Sequence, residues 1–212
     1  MTAALALLFA AQTATLAPTD DVWVYHFAPD QTSDPFLRCW GAEGLSSADP
    51  NIGDAGSWSA MKFDVSKLPS GKLLGATLTL YFVPNPNIDP EIGKKYPLEV
   101  RSTSAEFEEE NFSFEGAEKI RPKADKAFLL ATKPIEFYAN ATEPVKVEID
   151  LGGSEGKFMA ALQQARKSPK HELGLAFTTA LTPDEAGESM IYKFYSRNSE
   201  KATQPVLTLK FE

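Results

Sequence analysis

The sequence predicts an all-β fold, a jelly-roll-like antiparallel β-sandwich with one short helix. Three observations carry this expectation. From Thr15 onward, short runs of β-branched and aromatic residues are separated by clusters of Pro, Gly, Asn and Asp, the punctuation of strands and turns. Within the runs, apolar and polar residues alternate, as they do when one face of a sheet is buried and the other wet. Only one stretch carries its apolar residues at helical spacing. About eight to ten strands joined by long loops suit two stacked sheets.

The elements follow in order. The apolar run from Ala3 to Ala11 is far shorter than the ~20 residues of a membrane span, and it has the length and composition of a signal-peptide core. It lacks the usual positive start, because no Lys or Arg precedes Arg38. The reading is an atypical or truncated signal over residues 1–14, cleaved within the small-residue segment 10–14, and a single mature domain over 15–212 that is secreted or held at the cell surface. Strands are expected at 22–25, 59–64, 73–83, 98–101, 145–149, 173–177, 191–195 and 206–211. In the clearest of them Ala76, Leu78, Leu80 and Phe82 face one way and Thr77, Thr79 and Tyr81 the other.

The helix comes after Gly152-Gly153, with Ser154 as its cap and Phe158, Ala161, Leu162 and Ala165 as its apolar stripe. Glu155 at its start and Arg166-Lys167 at its end suit the helix dipole, and Pro169 lies beyond its end. Three prolines make 84–90 a surface excursion. Residues 106–115 read as a crossover anchored by Phe107, Phe112 and Phe114 with its acidic side in solvent, and a mildly basic stretch from Lys119 to Lys126 follows.

The net charge is 21 − 29 = −8, so neither nucleic-acid phosphate nor an anionic lipid surface is a default partner. Cys39 is the sole cysteine, which rules out a disulfide framework and a cysteine-based zinc site within one chain. His26 and His171 are too few for most histidine zinc sites. There is no Gly-x-Ser-x-Gly elbow, phosphate-binding glycine loop or His-Glu-x-x-His pair. A lyase or hydrolase needs only two carboxylates, or a base and a cation, but nothing marks any acid of this chain for that work. The reading is therefore non-catalytic.

Several segments taken together resemble one family, the secreted β-sandwich modules called DNRLRE domains, which overlap with carbohydrate-binding module family 96. The segment 16–24, Leu-Ala-Pro-Thr-Asp-Asp-Val-Trp-Val, is similar to that family's opening strand. Residues 59–69, Ser-Ala-Met-Lys-Phe-Asp-Val-Ser-Lys-Leu-Pro, followed by 75–81, resemble its "kFDlsslP…gAtLrLy" signature. Ile149-Asp150-Leu151 before the helix and Gly174 to Phe177 after it match the "vDvT…GlaL" portion. Phe194-Tyr195-Ser196-Arg197-Asn198 resembles "fySrE", and Gln204 to Leu209 resembles the closing strand. Asn198 stands where the family usually has Glu, and Phe107 and Phe114 where it usually has tryptophan. The resemblance implies an extracellular module, part of a larger assembly, that binds polysaccharide, with acidic glycans such as alginate among the ligands of some members.

Sugar rings are recognised by aromatic faces, and their carboxylates by Arg or Lys. The candidate ligand-binding residues are accordingly Arg38, Trp40, Trp58, Lys62, Tyr195 and Arg197. In a strand Arg38 shares a face with Trp40, and Tyr195 with Arg197. Each also has a structural alternative: Trp40 and Trp58 as core or rim packing, Arg197 as the partner of a loop acid, Lys62 as the wet-side neighbour of Phe63. A structural calcium ion held by Asp20, Asp21, Asp49 and Asp54 is the cofactor expectation, although Asp also simply makes turns. The alternative function is a structural or adhesive surface module without a small-ligand site.

Overall fold

The computed structural model describes residues 11–25, 34–40, 57–85, 90–123, 125–136, 141–153, 155–179 and 192–212, which build two antiparallel sheets. In chain order the first strands are β1 (Gln12–Leu16), β2 (Asp20–Tyr25), β3 (Phe36–Cys39), β4 (Ser57–Asp64), β5 (Leu73–Phe82) and β6 (Leu98–Thr103). The remaining ones are β7 (Leu129–Lys133), β8 (Val145–Gly152), β9 (Glu172–Thr178), β10 (Tyr192–Tyr195) and β11 (Val206–Phe211). One sheet runs β1-β11-β5-β10-β3 with β8 on the other edge of β5, and the second runs β2-β4-β9-β6-β7. The expected all-β sandwich is the fold observed.

The alternation read from the sequence fills the space between the sheets. Ala76, Leu78, Leu80 and Phe82 of β5, Leu207, Leu209 and Phe211 of β11, and Met61 and Phe63 of β4 all belong to this core and are essentially inaccessible. Burying each large side chain contributes roughly 1.5–3 kcal/mol. β1 begins inside the expected signal segment: Gln12, Thr13 and Ala14 pair with Phe211, Lys210 and Leu209. A chain cut before Thr15 would lose those three pairs of the strand.

β4 departs from the expected one-sided pattern, because Ser57 to Phe63 are buried on both faces. The cause is a second apolar cluster outside the sandwich. Val22, Val24, Trp58 and Ala60 on the outer face of the second sheet pack against Phe107, Phe112, Ala117 and Ile120 of the crossover. That crossover contains a 3-10 turn, Glu109–Asn111, and a short helix that the sequence reading lacked.

Among the described residues the helices are α1 (Pro90–Lys95), α2 (Phe114–Lys119) and α3 (Lys157–Lys167), where one was expected. Pro90 opens α1, a position where its missing N–H is no loss. Ser113 caps α2 by accepting from the Gly116 N–H at 3.2 Å. The expected helix is α3, with Phe158, Leu162 and Ala165 buried, but its cap is Gly156, whose φ of 131° suits glycine alone. Ser154 and the side chain of Phe114 lie outside the described residues. Among the described residues, no helix is long and apolar enough to cross a membrane.

β3 joins the two layers at one side. It pairs with β10 from Tyr192↔Cys39 to Tyr195↔Phe36, and just past its end Trp40 bridges to Ser57 of β4 in the other sheet.

Candidate binding face and groove

Strand geometry sorts the side chains of β3 and β10. Leu37, Cys39, Tyr192 and Phe194 point into the core, which leaves Phe36, Arg38, Lys193 and Tyr195 half-buried on the opposite face, with Trp40 beyond the strand end. Burial pushes the Cys39 thiol far above its usual range. On the open face, the rings of Phe36 and Tyr195 lie 5.2 Å apart, and the Lys193 ammonium sits 3.8 Å from the centre of Phe36. Burial, and then repulsion from Arg38, lowers the pKa of Lys193.

Arg38 is held on three sides. It forms an ion pair with Asp34, and its guanidinium lies 4.6 Å from the centre of Trp23 and 5.8 Å from that of Phe36. Asp34 also accepts from the Trp23 indole at 3.2 Å and from the Phe36 N–H at 3.0 Å. Trp23 and Trp40 are 6.2 Å apart. The face thus brings Arg38, Trp40 and Tyr195 together, and adds Phe36 and Lys193, which the sequence reading lacked. Their signal was in the sequence: Phe36 shares the parity of Arg38 and Trp40, and Lys193 that of Tyr195.

The other expected ligand residues lie elsewhere. Trp58 is 4% exposed in the second apolar cluster, with the Arg121 guanidinium 5.5 Å from its ring centre. Lys62 is not on a wet face: it is buried beneath the crossover, where its ammonium donates to the Phe107 carbonyl at 2.6 Å. It also pairs with Asp20 at 3.0 Å and Glu172 at 3.5 Å. Arg197 reaches Oε2 of buried Glu109 at 2.6 Å, the loop acid of its structural alternative.

Asp20 and Asp21 are engaged by protein donors. Asp20 accepts from the Glu109 N–H at 3.1 Å, and although burial opposes ionisation, that N–H and the Lys62 ammonium hold its carboxyl below the usual value. Asp21 accepts from the Arg197 N–H at 2.7 Å, while its buried Oδ1 has no hydrogen-bond partner. Burial first, then repulsion from Glu109 and Asp20, outweighs the Arg197 N–H and pushes Asp21 up to about 7. Asp49 and Asp54 lie outside the described residues, and among those described no group of three or more His, Cys, Asp or Glu is placed to hold a metal ion.

A groove of about 760 Å³ runs between α3 with its following turn and the crossover. Among the described residues, five cationic side chains line it, Lys119, Arg121, Lys123, Lys157 and Lys170, against the carboxylates of Glu106 and Glu172. The basic stretch from Lys119 to Lys126 was the sequence signal, but nothing in it placed Lys157 and Lys170 opposite. No family model matches the chain, and no curated protein is significantly similar to it in sequence.

Proposed function

We propose that this chain is a non-catalytic, extracellular polysaccharide-binding module. The observation that carries the reading is the β3–β10 face, where Phe36, Trp40 and Tyr195 stand on one side of paired strands beside Lys193 and Arg38. Aromatic rings stack on the C–H faces of sugars, and adjacent cations orient hydroxyls or carboxylates. Packing of Arg38 between Asp34, Trp23 and Phe36 fixes the platform before a ligand arrives, which lowers the ordering cost of binding. The order of segments resembling DNRLRE modules supports the same function and an extracellular location.

The test is affinity electrophoresis of the full chain through gels containing neutral or acidic polysaccharides. Retardation by at least one glycan is expected, reduced in Tyr195→Ala and Trp40→Ala with an unchanged circular-dichroism spectrum. Free migration in every gel would move the assignment to a structural or adhesive module.

A further inference from the structure

We infer that the groove between α3 and the crossover is a second binding site, one for a linear anionic glycan. The inference rests on the polysaccharide reading for its ligand class but uses none of the residues of the β3–β10 face. It starts from charge. A protein of net charge −8 repels polyanions at long range, yet the described residues of this groove carry five cations against two carboxylates. One of the two, Glu172, is already met by the Lys62 ammonium at 3.5 Å.

Three of the five cations lack a carboxylate partner among the described residues, although Lys157 donates to the Lys126 carbonyl and Lys123 sits 4.9 Å from the centre of Phe128. Arg121 pairs with Glu118 at 2.9 Å, and Lys119 lies 3.6 Å from Glu115 in an exposed contact of little strength. Lys123, Lys157 and Lys170 have no carboxylate within ion-pair distance among the described residues. Lysines from the α3 side and from the crossover side line the same groove. An anionic chain lying along it would meet cations from both sides.

The shape agrees. The volume of about 760 Å³ falls within the roughly 300–1,000 Å³ of ligand sites. Small residues are among its lining, Gly174, Ala161 and Ser104 included. Gly174 is required there, because a Cβ would meet the Ser104 and Thr103 carbonyls at 2.6 and 2.7 Å.

Residue type selects the ligand. Lysine ammoniums are mobile point charges without the planar fork with which Arg grips one carboxylate, so this lining suits charges repeated along a chain. Among the described residues Phe128 is the aromatic ring in the lining, and these offer no series of rings on which successive bases would stack. Carboxylate-bearing and sulfated glycans share the chemistry required.

The experiment measures binding of the full chain to polygalacturonate, dextran sulfate, neutral dextran and oligothymidylate at low and raised salt. The comparison protein is Lys123→Ala/Lys170→Ala, whose ammoniums support no ion pair in the described fold. The wild type is expected to bind at least one acidic glycan at low salt, to release it as salt rises, and to ignore neutral dextran. The double variant should bind about tenfold more weakly with an unchanged melting temperature. Tyr195→Ala should leave this salt-sensitive binding intact. Equal affinity of wild type and double variant, no binding to either acidic glycan, or tighter binding of oligothymidylate would each overturn the assignment. If acidic glycans were lost in Tyr195→Ala but kept in the double variant, the groove would fall and the β3–β10 face would stand.

Discussion

Nη1 of Arg197 lies 2.6 Å from Oε2 of Glu109, so the turn after β10 is bound to the 3-10 turn that covers the edge of β2. The same carboxylate accepts from the Asp21 N–H at 3.3 Å and, through its other oxygen, from the Asn198 amide. One buried side chain thus accepts from three donors in two segments, β2 and the turn after β10. A Glu at position 198 would set a third carboxylate beside Glu109 and Asp21, whereas Asn198 supplies a donor.

Glu109→Ala should therefore destabilise the fold, since it removes the carboxylate that accepts from the Asp21 N–H, the Asn198 amide and the Arg197 guanidinium. The loss expected is about 3 kcal/mol, read from urea denaturation followed by tryptophan fluorescence. A variant within experimental error of the wild type would show that solvent replaces these contacts freely.

Asp21 makes stability depend on pH. Its carboxyl titrates from 3.8 in the unfolded chain to about 7 in the folded one, so between those values the folded state holds a proton that the unfolded state has released. Its contribution is complete below about pH 4 and is lost as pH rises through about 7. Asp21→Asn keeps an acceptor for the Arg197 N–H and removes the titration. The variant should gain on the wild type between pH 5 and pH 8, by on the order of 2–4 kcal/mol in urea midpoints converted to free energy. A constant difference across that range would place the titration elsewhere.

Trp58→Ala empties the centre of the outer cluster, so a loss of about 3–5 kcal/mol is expected. Retardation by a neutral glycan, measured below its melting temperature, should match the wild type, because Trp58 is buried in the outer cluster and is not on the β3–β10 face, whereas Arg121 of the groove lining rests 5.5 Å from its ring centre. Reduced retardation by the folded variant would make Trp58 a ligand contact after all.

Cys39 should resist Ellman's reagent in the native protein and react at the rate of unfolding, since it is 1% exposed and burial disfavours its thiolate. Cys39→Ser puts a hydroxyl into that site and should cost about 1–3 kcal/mol. Prompt labelling of the folded chain would refute the placement.

β11 lies between β1 and β5, paired along its length with both. A chain ending at Thr203 should accordingly fail to fold, leaving β1 unpaired, one edge of β5 bare and the core open. Cooperative melting of that truncated chain near the wild-type temperature would contradict this.

Alternation made the sandwich legible, because β5, β8 and β11 each set one face against the core, and a period of two is the mark of a half-buried strand. It failed at β4, where Trp58, Ala60 and Lys62 alternate in the same way but lie beneath residues about 45 positions away, a contact no local pattern announces. β1 was hidden because an apolar run near the start reads equally as a signal core, and β7 because its five residues are only half-buried or exposed. The binding face was half legible: parity placed Arg38 with Trp40, but only the pairing of β3 with β10 brought Tyr195 across to Phe36. Arg197 shares Tyr195's parity but is held by Glu109 in the turn beyond β10, outside the strand that the pattern assumed.

β3 hydrogen-bonds to one sheet while the residue after it bridges to the other, and on the far side α3 packs against β7, β8 and β9. The sandwich thus behaves like a book with a spine and a clasp. Sheets joined along one side can splay only at the other, where α3 forms one wall of the groove. Any opening motion should therefore change the width of that groove while leaving Phe36, Arg38 and Tyr195, at the spine, in fixed register.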